Sequence, residues 1–196
     1  MPATPRITLL PASAHRDMPW KNGLGRTAEI AREPASGESF DWRVSIATIA
    51  ADGAFSAFPG CDRTLVPIAG GGLALDFADG TGLVGQLFEP MRFAGDAPCD
   101  GRLLAGPARD LNVITRRTAM RHHVELVAGP HRTICAGTTT LVVALDHPLC
   151  VAAGDGRQRL DPGDVLRIDG AGLRMELEPG DPHAHAALIT LERATR

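Results

Sequence analysis

Apolar and polar residues alternate along much of the chain. In "FDWRVSIATI", Phe40, Trp42, Val44 and Ile46 fall on one side and Asp41, Arg43, Ser45 and Ala47 on the other. A period of two with aromatic and β-branched residues predicts a strand. "DLNVITRR", Asp110 to Arg117, alternates the same way and places Asp110, Asn112 and Arg116 on one face. "ITLLP", Ile7 to Pro11, reads as a short opening strand. "RTAEIAR", Arg26 to Arg32, fits either an extended or a helical segment, and "EPASGES" after it is a loop. "RTLVPIAGGGLALDF", from Arg63, reads as strand, glycine break, strand, with Pro67 marking an edge or a bulge. "ADG", Ala78 to Gly80, is a hairpin turn signal. The chain has 22 glycines and 15 prolines, and so many turn formers favour an all-β fold.

The pattern also repeats. The stretch from Thr64 and the stretch from Thr140 both open on Thr-Leu-Val and continue into a second strand. Each then has an Asp-Gly turn, a Phe-x-Pro or Leu-x-Pro step and another strand. This predicts a duplication, two stacked all-β barrels or sandwiches, with units at 1–118 and 119–196. In "LDPGDVLRI", Pro162 presets φ, Gly163 supplies a left-handed position and Val165 starts a strand. That turn resembles the one before a barrel strand in cupins.

Composition narrows the classes. Of 196 residues, 44% are hydrophobic and 22% charged, within the globular range. A net charge of -3 leaves no electrostatic footprint for nucleic acid. Neither a membrane-length apolar run nor a secretory leader is legible, so no membrane association and a cytoplasmic location are expected. Cys61, Cys99, Cys135 and Cys150 are widely spaced and form no CxxC pair, which predicts buried thiols rather than zinc or disulfides.

Several long motifs resemble the HutD/Ves family of small bicupin proteins. They are "MPWKNGLGRTAEI", "FDWRVSIATIAADGAFSAFPGCDRTLVPIAGGGL", "FAGD" at Phe93 to Asp96, and "LNVITRR". They lie before residue 118, and the rest of the chain carries nothing as specific. Leu24 departs from the pattern, standing where many relatives have Gly. The resemblance implies a bicupin fold and a link to histidine utilisation. It implies no established catalytic activity and a regulatory role, through binding of small acids such as urocanate or formylglutamate.

The residues are consistent with that expectation. A cupin metal site needs two His one residue apart, then a carboxylate and a third His. The first-half position, Cys61-Asp62-Arg63, has no His, and a guanidinium cannot coordinate a metal. His183 and His185 have the two-residue spacing, but Asp181 and Pro182 beside them suggest an exposed turn. His122 and His123 point to opposite faces of an extended segment. No metal and no cofactor are therefore expected. The chain lacks a Gly-x-Ser-x-Gly elbow, and "AGGGL" has no phosphate-loop Lys-Ser/Thr after it. Cys61 reads as a small buried hydrophobe rather than a nucleophile.

Anion recognition remains. Lys21, Arg43, Arg63 and Arg116 all lie in the specific motifs, and a forked guanidinium matches a carboxylate with two parallel hydrogen bonds. The expected site comprises Trp20, Lys21, Asn22, Arg43, Ser45, Arg63, Asp110, Asn112 and Arg116, with Phe55 and Phe58 as walls. Asn22 and Asn112 would read a neutral polar group, and Gly23 and Gly25 would let "WKNGLG" bend across a barrel mouth. Trp20 would otherwise be a plug for the open end of the first barrel. The preferred function is a non-enzymatic binder of a small carboxylic acid. The alternatives are a cupin isomerase, hydrolase or metal-dependent oxygenase acting on such an acid, and a homodimer formed through exposed sheet edges.

Overall fold

The computed structural model describes residues 4–20 and 23–195. It divides into two compact units, residues 15–121 and residues 4–14 with 122–195. In chain order the strands begin with β1 (Arg6–Leu10), β2 (Arg16–Pro19), β3 (Gly25–Glu33), β4 (Trp42–Ile49) and β5 (Gly53–Phe55). β6 (Cys61–Ala69), β7 (Leu73–Phe77), β8 (Gly82–Gly85), β9 (Met91–Ala94), β10 (Cys99–Leu103) and β11 (Ala108–Arg116) follow. β12 (Met120–Ala128), β13 (His131–Ile134), β14 (Thr139–Ala144) and β15 (Leu149–Ala153) come next. The chain ends with β16 (Gly156–Leu160), β17 (Val165–Asp169), β18 (Arg174–Pro179) and β19 (His185–Arg193). No helix among the described residues is long and apolar enough to cross a membrane.

The 15–121 unit has a six-stranded sheet, β2-β3-β4-β11-β6-β9, and a four-stranded sheet, β5-β10-β7-β8. The other unit has a five-stranded sheet, β1-β17-β14-β19-β12, and a four-stranded one, β13-β18-β15-β16. The strand partners repeat. β6 pairs β9 and β11 as β14 pairs β17 and β19, while β7 pairs β8 and β10 as β15 pairs β16 and β18. The fold is all-β, with one eight-strand plan used twice. β1 is first in sequence but pairs β17, so the opening residues belong to the later unit.

Between the two sheets of the 15–121 unit, Ile49, Leu65, Leu73, Leu75, Met91 and Cys99 form an apolar core. In the other unit Val142, Leu166, Leu188, Val151 and Leu177 are among the residues doing the same. The two Thr-Leu-Val triplets are one residue out of step: Leu65 points into its core, but in the second unit Val142 does. A one-residue slip exchanges the two faces of a strand.

The ambiguous segment at Arg26 to Arg32 lies within β3, because β2 and β4 pair with it on both sides. Pro67 sits at a bulge, where β6 carries one extra residue opposite Arg109 and Asp110. A second bulge lies on β3 between Glu29 and Ala31. Both irregularities adjoin polar residues of the site described next.

Candidate functional site

A cavity of about 430 Å³ opens inside the 15–121 unit. Arg43 and Ser45 of β4, Arg63 of β6 and Asn112 of β11 present its polar floor, with the Ala47 methyl beside them. Their register explains this. Asn112 lies opposite Ser45 on one side and Leu65 on the other, and Ile114 lies opposite both Arg43 and Arg63. Period-two alternation therefore turns all of them to the same face. Trp20, Phe55 and Phe58 form apolar wall.

Arg63 is the central group. Only 3% of its surface is exposed. One terminal nitrogen, Nη1, donates to the Ser56 carbonyl at 2.9 Å, while Nε has no hydrogen-bond partner. Its guanidinium lies over three rings, 5.9 Å from the centroid of Phe55 and 5.1 Å from those of Phe58 and Phe93. Three ring faces hold a cation out of water without neutralising it. Burial pulls the pKa of Arg63 down, and the charge of Asp110 opposes that.

Arg43 is held differently. Its Nε donates to Glu29 Oε2 at 2.6 Å, and both side chains are mostly buried. Trp20 donates its indole N–H to Thr27 Oγ1 at 2.8 Å and meets Phe55 edge-on, with centroids 6.4 Å apart. A Cβ on Gly25 would stand 2.4 Å from the Thr48 carbonyl oxygen and 3.0 Å from the Trp20 ring, so only glycine seats the indole there. Gly23, at φ +73°, takes the left-handed conformation the turn needs. Trp20 also packs against the apolar core. It is cavity wall and packing element together.

Asn112 lines the cavity with its Oδ1 lacking a partner. Asp110, two residues back on the same face, was expected to touch the ligand but lies behind the lining residues, 1% exposed, and neither carboxylate oxygen has a hydrogen bond. Burial raises its pKa to about 7, and Arg63 works against that rise. Arg116 shares the strand face, yet it pairs with Asp41 and does not line the cavity. Lys21 and Asn22 lie outside the described residues.

Asp62 faces away from Arg63 and pairs with Arg117 at 2.5 Å. Arg117 also binds Asp96 and donates to the Cys61 carbonyl at 2.7 Å. Asp96 in turn accepts the Gly60 N–H at 2.7 Å, and the Arg117 bonds hold its carboxyl down at about 2. This clamp fixes the loop that carries Ser56 and Phe58. Sequence reasoning missed Arg117, Asp96, Glu29, Thr27 and Phe93. All but Phe93 are polar residues on strands or turns, where a side-chain partner is set by tertiary pairing.

The specific motifs thus become two linked structures, a cavity and the clamp beside it. The match to the HutD family model runs over residues 12–184. The chain belongs to the HutD family. It is 35% identical over 176 residues to the 21.2 kDa protein in the hutC 3' region of Pseudomonas putida, covering 88% of this chain and 92% of that one. It is 37% identical to protein Ves of Citrobacter koseri over 115 residues, 57% of this chain and 60% of Ves. The structure of HutD from Pseudomonas fluorescens superposes with a TM-score of 0.84 at 32% identity, covering 96% of this chain and 99% of that one. The fold alone is shared with a cupin 2 conserved barrel domain protein of Leptotrichia buccalis, 10% identical at TM-score 0.57, with 85% of this chain and 88% of that one covered. This is a HutD-type protein of cupin fold.

Other candidates resolve as packing or surface chemistry. Cys61, Cys99 and Cys135 are buried, with thiol pKa values pushed up by burial, and Cys150 is half-buried; all four are free. A raised thiol pKa suits a packed side chain, not a nucleophile. His183 is exposed in the turn before β19, and His185 Nδ1 lies 2.7 Å from Asp146. Among the described residues, no group of three His, Cys, Asp or Glu side chains could hold a metal.

Proposed function

We propose that this HutD-type protein binds a small carboxylic acid of histidine breakdown, such as urocanate or formylglutamate, and serves the regulation of histidine utilisation from the cytoplasm. The supporting observation is Arg63, a buried guanidinium facing a cavity with its Nε unpaired. With Nη1 held by Ser56, Nε and the neighbouring terminal nitrogen remain to grip a carboxylate side-on through two parallel bonds. Arg43 adds positive potential while staying fixed on Glu29. At the other end, the unpaired Oδ1 of Asn112 suits an N–H donor, which an imidazole or a formamide supplies. Trp20, Phe55 and Phe58 exclude water around the ligand's apolar middle.

The test is calorimetric titration with urocanate and with formylglutamate, on the protein and on an Arg63→Ala variant. Binding that weakens on the order of 100-fold in the variant supports the carboxylate site. Absence of heat with either acid, from folded protein, removes the proposal. Chromatography of the incubated acids distinguishes a ligand that is held from one that is converted.

A further inference from the structure

Resting on that reading of the pocket, we infer that ligand binding is proton-coupled: Asp110 is the resident counter-charge of Arg63 and takes up a proton when an anionic ligand arrives. Two pairs of opposite charge share the inner face of one sheet. Arg43 and Glu29 are joined by a hydrogen bond and stay matched whether or not the cavity is filled. Arg63 and Asp110 are matched only through space. No hydrogen bond ties Asp110, and the Nε of Arg63 is likewise unpaired.

The register sets them near each other. Arg63 and Pro67 lie four residues apart on β6, opposite Ile114 and Asp110 on β11, so both charges stand on one inner face and act on each other through space, without a salt bridge. The other groups around Asp110 leave Arg63 as its partner. β4 places Ala47 directly opposite, with Ser45 and Arg43 further along. β3 adds Thr27 and the already paired Glu29. From β7 and β9, Leu73, Leu75, Met91 and Phe93 turn toward the core. β10 contributes the Cys99 thiol, whose pKa is pushed up by burial and which therefore stays neutral.

The charge balance follows. With Asp110 ionised, the four groups sum to zero. A ligand carboxylate on Arg63 then places two anions against one buried cation, and like charges in a site of low dielectric cannot both stay ionised. Unlike the ligand, Asp110 has no hydrogen bonds to hold its negative charge, so it accepts the proton. The carboxyl already lies near neutrality without ligand, at about 7, so the shift falls within an accessible pH range.

Formylglutamate is the probe, because its carboxylates stay ionised throughout that range. Titrations in two buffers of different ionisation enthalpy count the protons exchanged. Close to one proton should be taken up per ligand at about pH 8, and close to none at about pH 5.5. Affinity should fall on the order of tenfold per pH unit above neutrality. D110N should lose both effects and bind about tenfold more tightly than the parent at about pH 8. In case D110N does not fold, infrared difference spectra of the unaltered protein should show a protonated carboxyl C=O stretch appearing as ligand is added. Binding with no proton uptake and no new carboxyl band overturns the coupling alone. Absence of any heat from folded protein overturns the carboxylate reading beneath it.

Discussion

Between β6 and β11 the pairs that face inward are Arg63–Ile114, Leu65–Asn112 and Pro67–Asp110. Between β14 and β19, at the same places in the strand plan, they are Thr140–Thr190, Val142–Leu188 and Ala144–Ala186. The equivalence is fixed by the next strand over, since Leu65 meets Met91 on β9 and Val142 meets Leu166 on β17. Asn112 therefore answers to Leu188, and Asp110 to Ala186. At the places of Asn112 and Asp110 one unit has the aliphatic Leu188 and Ala186, while its counterpart sets a charge, an amide and a cavity in the same frame. A strand diagram decides which positions point inward, and the side chains at those positions decide whether the inside is a core or a site.

The largest effect should come from moving the polar character across. Leu188→Asn places an amide in an interior whose neighbours include Val142, Leu166 and Leu177. It removes packing and leaves buried polar atoms unpaired, for an expected loss of about 4 kcal/mol by urea unfolding. A loss below about 1 kcal/mol would mean that this unit is not the tightly packed one.

Next in size is the pH dependence that Asp110 gives the fold. Its carboxyl rises from the ordinary 3.8 to about 7 on folding. Below the lower value both states hold the proton. Between the two the folded state binds more protons, so stability falls as pH rises and levels off above about 7. The full shift corresponds to about 4 kcal/mol, and solvent relaxation makes the expected drop about 2–4 kcal/mol. Denaturant melts at about pH 4 and pH 8 measure it, and D110N should flatten that part of the profile. An unchanged profile in a folded D110N would show that Asp110 titrates as an ordinary carboxylate.

Smaller again is the clamp. Arg117→Ala frees Asp62 and Asp96 and the loop leading to Ser56 and Phe58. Because Arg117 is more than a third exposed, solvent screens its ion pairs and the expected stability loss is smaller than either of the two above. Ligand affinity should fall more than stability, because the loop positions the Ser56 carbonyl that orients Arg63. Equal losses would make Arg117 a general structural residue.

Alternation alone disclosed β4 and β11 and grouped Arg43 with Ser45 and Asp110 with Asn112 on one face of each strand, because period two is a local property; that the face turns inward came from the structure. Turn chemistry disclosed the hairpin at Ala78 to Gly80, and Pro67 marked an edge or a bulge, of which the structure has the bulge. The partners of those inward groups were not legible. Glu29 reaches Arg43 across a bulge that shifts its strand by one residue, and a bulge leaves no mark in "TAEIAR". Asp62 stands next to Arg63 in sequence and for that reason points the other way, toward Arg117. Arg116 has the right strand face, but it sits at the end of β11 and reaches Asp41 instead of the cavity. The Thr-Leu-Val triplets marked the repeat yet misaligned it by one, since hydrophobic strands read alike in either register. Sequence carried facing, and tertiary contact carried pairing.

The smallest predicted effect in stability is the reverse exchange, and it separates the two roles of a polar interior. Asn112→Leu restores the residue type its counterpart unit uses. It removes an unpaired buried acceptor and adds apolar contact beside a cavity with room for it, so stability should rise by about 1 kcal/mol. Binding should respond according to what the ligand offers. Formylglutamate carries an amide N–H for the Asn112 oxygen and should bind on the order of tenfold more weakly to the variant. Glutarate has the carboxylates without the N–H, so the change should leave its affinity to Arg63 nearly untouched. If both acids weaken equally, Asn112 shapes the cavity without reading the ligand. If only formylglutamate weakens while the fold gains stability, then the interior of this unit gives up packing at Asn112 in exchange for recognising an N–H, which the aliphatic interior around Leu188 has no group to do.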